Sequence, residues 1–126
     1  MDPFKLSWDE IAALQKTEAA ERLTIRPSPV PADPQARKAI PLCTGLLDYF
    51  PDALLAVAEL SRIGNDQHNP GEPLHWAREK SSDEADALMR HLIDRGRVDK
   101  DGVKHTAKVA WRALALLQRE IEAERK

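Results

Sequence analysis

The 126 residues contain a single cysteine, Cys43. An internal disulfide is therefore excluded, and a reducing compartment suits the chain. With no CxxC and no Cys–His context, Cys43 reads as a small buried apolar residue rather than a nucleophile. No apolar run approaches the roughly 20 residues that cross a bilayer, and the acidic start MDPFKLSWDE is unlike a signal peptide. The expectation is a cytoplasmic protein with no membrane partner. Charge of one sign is missing as well: 19 Lys and Arg stand against 21 Asp and Glu, a net charge of −2, so no general nucleic-acid footprint exists. Serine-hydrolase, Walker, HExxH and dinucleotide glycine motifs are all absent. His68 and His75 have no companion cysteines, which argues against structural zinc.

What the chain does hold is helix-forming sequence broken by punctuation. Its length suits one domain, 1–126. Ser7 and Glu10 have capping-box spacing and open a helix to about Leu23, within an N-terminal segment 1–24. That helix carries only a thin apolar stripe of Ile11, Leu14 and Trp8, so it needs a partner surface. Residues 25–41 hold five prolines, a density that forbids helix and predicts an extended arm over the core or toward a neighbouring copy. A homo-oligomer joined through this helix and arm is the expectation.

The helical core is predicted over 42–124. Pro51 suits the first turn of a helix that runs to about Ile63, ends at Gly64 and, being apolar around most of its circumference, is central and buried. A polar loop follows from Asn65 to Lys80. Ser81 and Glu84 cap a helix to about Arg95, Gly96 stops it, and Asp99 or Asp101 caps the last helix. With no convincing strand, the fold class is all-α, a compact helical bundle.

Read at 100° per residue, the helix from Asp83 has an apolar arc of Ala85, Leu88, Met89, Leu92 and Ile93. Asp83, Glu84, Asp86, Arg90, His91 and Asp94 occupy its other side, with Asp86 and Arg90 spaced for an i,i+4 ion pair. The final helix has a heptad-like stripe of Val103, Ala107, Ala110, Leu114, Leu117 and Ile121, with Lys104, Lys108, Arg112 and Arg119 opposite. The short connection makes the two helices antiparallel neighbours, which lets acidic and imidazole groups approach basic and imidazole ones.

All four histidines (His68, His75, His91, His105) lie between Gly64 and Trp111. Imidazole is the side chain suited to proton transfer, metal ligation and phosphate contact near neutral pH. Two chemistries fit. In one, Asp83, Glu84, Asp86 and Asp99 supply oxygens to Mg²⁺ or Mn²⁺, Arg90, Lys108 and Arg112 receive phosphate, and His91 and His105 handle a proton. In the other, the same face only binds a nucleotide, with Asn65, His68, His75 and Trp76 as base contacts or lid. Taken singly, a basic stripe is more often a solvated face and a lone histidine more often structural; the clustering carries the site. Trp111 reads as core packing.

The run DALMRHLIDRGRVDKDGVKHTAKVAWRALALLQ resembles the dATP/dGTP diphosphohydrolases of phages and prophages, the MazZ-like group. That family shows a pattern like GxxKYGxxNW, a helix with D-A-L-x-R-H-L, then G-E-x-x-D-x-x-S-G-x-x-H, then A-A-W-N-A-L. Gly64 with His75–Trp76 resembles the first element. Asp86, Ala87, Leu88, Arg90, His91 and Leu92 match the second, Gly96, Asp99, Gly102 and His105 the third, and Ala110, Trp111, Ala113 and Leu114 the fourth. The chain departs from it at Gln67–His68, Arg97 and Arg112. It has one ExxE, Glu18–Glu21, but not the following ExxD of the more distant MazG-type all-α pyrophosphatases; Asp83–Asp86 is the closest acidic pair. The resemblance implies hydrolysis of a purine deoxynucleoside triphosphate to monophosphate and pyrophosphate with a divalent metal, in a host cytoplasm. A non-catalytic nucleotide sponge and a helical assembly protein are the alternatives.

Overall fold

A computed structural model describes residues 6–14 and 28–125. The chain divides into two units, 1–41 and 42–126.

In the first unit, residues 8–14 are helical (α1). Ser7 starts the helix as its spacing predicts: the Glu10 backbone N–H donates to Ser7 Oγ at 3.1 Å. The expected continuation to Leu23 lies outside the described residues. The proline-rich segment does contain a helix, α2, Pro34–Lys38. This corrects the expectation of a wholly extended arm. Pro34 sits in the first turn, where its missing N–H costs nothing, and Asp33 accepts from the Ala36 N–H at 2.9 Å.

The second unit begins with a π-helical turn, Cys43–Leu47. Cys43 is exposed, not buried, and its Sγ lies 3.7 Å from Asp48 Oδ1. Helix α3 spans Pro51–His68, α4 spans Glu84–Ile93 and α5 spans His105–Glu124. A 3₁₀ turn, Arg78–Lys80, lies between α3 and α4. Among the described residues no strand forms; Val98 and Lys104 make one isolated antiparallel bridge. The all-α expectation holds.

Three expectations about these helices are corrected. Helix α3 passes through Gly64, which keeps a right-handed backbone, and closes at Asn69. It is also not a buried helix: Leu55 is 70% exposed. Helix α5 starts after Lys104 without a side-chain cap, because Asp99 and Asp101 are engaged elsewhere. Gly96 does end the α4 segment with φ +85°, and Gly102 reverses the chain with φ +81°.

The faces of α4 and α5 are the largest surprise. Glu84 and Ala87 are 3% and 2% exposed, while Met89 and Ile93 of the supposed core arc lie open. On α5, Ala115 is buried and Leu114 and Leu117 are exposed. Glu84 reaches both Arg112 and Arg119, and His91 meets His105, so α4 and α5 run antiparallel with their charged faces together. Alanines at 87 and 115 leave no bulk between the helices, and long polar side chains fill the seam. No large side chain is fully enclosed among the described residues.

Candidate functional site

The α4–α5 connection builds the first part of the site. Two left-handed glycines and the Val98–Lys104 bridge fold it into a tight turn, closed by the Asp99 N–H on the Val103 carbonyl at 2.8 Å. The turn carries Asp99 and Asp101 and hands directly to His105, the first residue of α5. Lys108, one turn later, donates to Asp99 Oδ2 at 2.7 Å and to Asp101 Oδ2 at 2.8 Å. Asp99 Oδ1 accepts from the Lys100 N–H at 2.7 Å, and Asp101 Oδ1 from the Val103 N–H at 3.0 Å. Both carboxylates are thus oriented at each oxygen.

These contacts set the protonation states. The Lys108 bond, helped by the Lys100 N–H, holds the Asp99 carboxyl down at about 2. Lys108 also lowers Asp101. Burial pulls Lys108 down, but its two carboxylate partners win and raise it.

His91 Nδ1 lies 2.9 Å from His105 Nδ1, with the rings tilted at 37°. One nitrogen must donate and the other accept, so at most one of these two Nδ1 atoms carries a proton. Burial first, then the positive charge of Lys108, lowers the His91 pKa. Both effects favour the neutral imidazole of His91. Asp99 Oδ2 stands 3.9 Å from His105 Nδ1.

A second network lies further along the seam. Glu84 accepts from Ser81 Oγ at 2.8 Å, from Arg112 at 3.2 Å and from Arg119 at 3.0 Å. Burial alone would raise the Glu84 pKa; the Ser81 bond and the two guanidiniums outweigh it and lower it. Arg112 also donates to Ser81 Oγ at 3.1 Å. Two cations on one carboxylate leave this network net positive.

The third part is aromatic. Trp76 and Trp111 meet edge to face at 5.7 Å. Trp111 Nε1 donates to Ser61 Oγ at 2.9 Å, which ties α5 to α3. The Arg78 guanidinium lies 4.1 Å over Trp76 and pairs with Glu122. Asn65 pins the intervening loop: its Nδ2 donates to the Glu72 carbonyl at 3.0 Å, and its Oδ1 accepts from the His75 N–H at 3.2 Å.

Together these elements enclose an open cavity of about 600 Å³. That volume falls within the range of ligand sites. Of the residues singled out by sequence, Asn65, His68, His75, Trp76, Asp83, His91, Lys108 and Arg112 line it. Asp99 and His105 stand behind its wall, in contact with Lys108 and His91. Asp86 and Arg90 are not part of the lining. Arg90 pairs with Asp83 at 3.0 Å instead of the expected Asp86, and Asp86 lies in a separate hollow with Glu120. Asn65 shapes the loop through both ends of its amide.

Sequence reasoning missed Asp101, which it read as a helix cap, and Trp111, which it read as core; Glu84, expected both in a helix cap and among the metal ligands, pairs with Arg112 and Arg119. Lys80 and Ser61 were missed too, and both line the cavity. The spacing of Asp99, Asp101 and Lys108 was the available signal, since a turn before a helix brings all three to one end.

The donor set for a divalent cation can be tested against this geometry. Ligand atoms of His91, Asp99 and His105 all lie within 4.8 Å of one another. These residues fit a cation. The all-carboxylate set of Asp83, Asp86 and Asp99 is not gathered in one place.

Residues 33–126 match the family model described as dATP/dGTP diphosphohydrolase, N-terminal. The chain belongs to that family. The match spans α2 through α5, including the histidine pair, the aspartate turn and the tryptophan wall. No curated protein and no solved structure matches the chain. Diphosphohydrolase chemistry suggests a divalent metal, and His91, Asp99 and His105 are the group able to hold one. No single helix among the described residues is long and apolar enough to cross a membrane.

Proposed function

We propose that this chain hydrolyses dATP or dGTP to the monophosphate and pyrophosphate with a divalent cation. The observation that carries the reading is the cavity, in which imidazole, lysine and arginine groups meet an aromatic wall within the matched family region. Trp76 and Trp111 offer π-faces and edges to a purine. Lys108, Lys80 and Arg112 supply positive charge to the triphosphate.

Hydrolysis places a water oxygen on the α-phosphorus and breaks the bond to the bridging oxygen, which leaves on pyrophosphate. Negative charge grows on that oxygen, and fixed cations in a partly closed cavity stabilise it more than they stabilise the bound substrate. Arg112 is pre-aimed by Ser81 and Glu84, and Lys108 by its two aspartates, so neither has to reorganise. A cation held by His91, Asp99 and His105 would lower the pKa of a bound water and offset phosphate charge. The cation named by the sequence reading is Mg²⁺ or Mn²⁺.

Self-association through α1 and the proline-rich segment belongs to the same reading. Trp8 of α1 is exposed, and the apolar faces of α4 and α5 lie open.

The test is product analysis after incubating the pure protein with a nucleotide panel, with Mg²⁺ or Mn²⁺ and with EDTA. Pyrophosphate and a deoxynucleoside monophosphate, formed only with metal, are expected. Tight nucleotide binding with no product would overturn hydrolysis in favour of a sponge.

A further inference from the structure

We propose that His91, His105 and Asp99 bind one first-row ion of the kind that prefers imidazole nitrogen, Fe²⁺, Co²⁺ or Zn²⁺, over Mg²⁺. Two ligand atoms each roughly 2.1 Å from a shared ion and at right angles to one another lie about 3 Å apart. The two Nδ1 atoms already stand 2.9 Å apart. That separation matches the bite of a cis pair, so an ion could take the place of the proton the two nitrogens share. Asp99 Oδ2, at 3.9 Å from His105 Nδ1, completes a three-point set with small rotations.

Three further observations favour such an ion. First, Asp99 is held at both oxygens, by the Lys100 N–H and by Lys108, as ligating carboxylates commonly are. Second, Asp99 and Asp101 outnumber Lys108, which leaves one net negative charge on the turn beside the two imidazoles. Third, His91 lines the cavity and is in contact with His105, so an ion on this pair would stand at the cavity wall.

The ion class follows from the donors. Mg²⁺ requires near-octahedral oxygen coordination and releases water reluctantly. This set offers two nitrogens and one oxygen, a combination suited to later first-row ions. The purpose of the ion rests on the hydrolase reading above, but its binding does not.

The experiment uses the full chain stripped with chelator and titrated with Co²⁺, whose visible bands report its coordination. Expected are one Co²⁺ per chain with bands unlike the aquo ion, displacement by equimolar Zn²⁺ and no displacement by a large excess of Mg²⁺. His105→Ala and Asp99→Asn, each checked for helix content by circular dichroism, should weaken Co²⁺ by about 100-fold or more. Asp86→Asn should leave it unchanged. An aquo-like spectrum with the wild-type chain, or equal affinity in folded His105→Ala, overturns the proposal; if His105→Ala does not fold, Asp99→Asn decides. Pyrophosphate release separates the two readings. Ion binding without turnover of dATP or dGTP removes the hydrolase and keeps the site. Mg²⁺-driven turnover in His105→Ala keeps the hydrolase and removes this site from its reaction, its ion binding being decided by the Co²⁺ titration.

Discussion

The seam between α4 and α5 and the outward surfaces of the same two helices have exchanged the roles that a small helical protein usually gives them. Inside the seam lie Glu84, His91, Lys108, Arg112 and Arg119 around two alanines. Outside lie Met89, Ile93, Leu114 and Leu117. Enclosing charge is expensive, and a hydrocarbon seam of equal volume is often as stable or more so. A chain that encloses its charges and leaves its leucines open is shaped for what those charges do. Stability then depends on every seam group keeping its partners, and the outward face becomes material for contact with other molecules.

The largest way to break the comparison is to empty the seam of its shared cation. Lys108→Ala leaves Asp99 and Asp101 without their shared cation and removes the proposed phosphate contact; pyrophosphate release should fall by about 10²–10³-fold. Steady-state assay of the purified variant checks this. A variant that keeps wild-type turnover would reduce the seam to scaffold.

Next comes Glu84→Ala. It strands Arg112 and Arg119, and denaturant unfolding should register a loss of about 3 kcal/mol. The figure sits at the low end for a broken buried pair because both guanidiniums remain about one-third exposed to water.

Acid sharpens the same contrast. The carboxyls of Asp83, Glu84, Asp99 and Asp101 are all held below their usual values, which are 3.8 for Asp and 4.5 for Glu. The unfolded chain therefore binds more protons than the folded one in this range. Their contribution is fully present above those values and is lost as pH falls, the share of Asp99 disappearing as pH passes about 2. Asp99→Asn should flatten the fall of the urea midpoint between pH 4 and pH 2.

Smaller effects follow away from the seam. Trp76→Ala should raise KM for the nucleotide by roughly tenfold, about 1.4 kcal/mol, with kcat nearly unchanged. Leu114→Lys with Leu117→Lys should alter monomer stability by only about 0.5 kcal/mol, as exposed substitutions do. If copies associate through this face, as the self-association proposal allows, these two changes should lower the mass measured by sedimentation. Unchanged mass would show that the outward face of α5 is not where copies meet.

Much of this was legible in the residues. The helices α3, α4 and α5, their antiparallel pair and the gathering of histidines follow from glycines, prolines and spacing, whereas the caps expected from Ser81 and from Asp99 or Asp101 do not form. What periodicity could not reveal was direction. It separates Leu88, Met89, Leu92 and Ile93 from Asp83, Glu84 and His91, but either stripe can face the chain's own neighbour, and here the charged one does. Helix ends were misjudged where a side chain serves a distant group. Asp101 has the form of a cap, yet its carboxylate holds Lys108, and Gly64 looks like a stop although Asn65 needs the helix to continue. Pro34 shows the converse, since a proline-dense segment still starts a helix when the ring falls in the first turn. The tryptophan pair depends on a contact across 35 positions, for which no local pattern exists.

The placement of His91, Asp99 and His105 within fifteen consecutive residues also bears on how the molecule is made. Closing a short loop between two helices is fast, whereas contacts distant in sequence carry a larger entropic delay. The imidazole pair can therefore meet as soon as α4 and α5 have left the ribosome and zipped together. The bond from Trp111 to Ser61 spans 50 positions and comes later. Sequence separation thus favours the histidine end of the hairpin forming before the aromatic wall, and a cation bound at the proposed site would staple that hairpin while the rest of the fold docks around it.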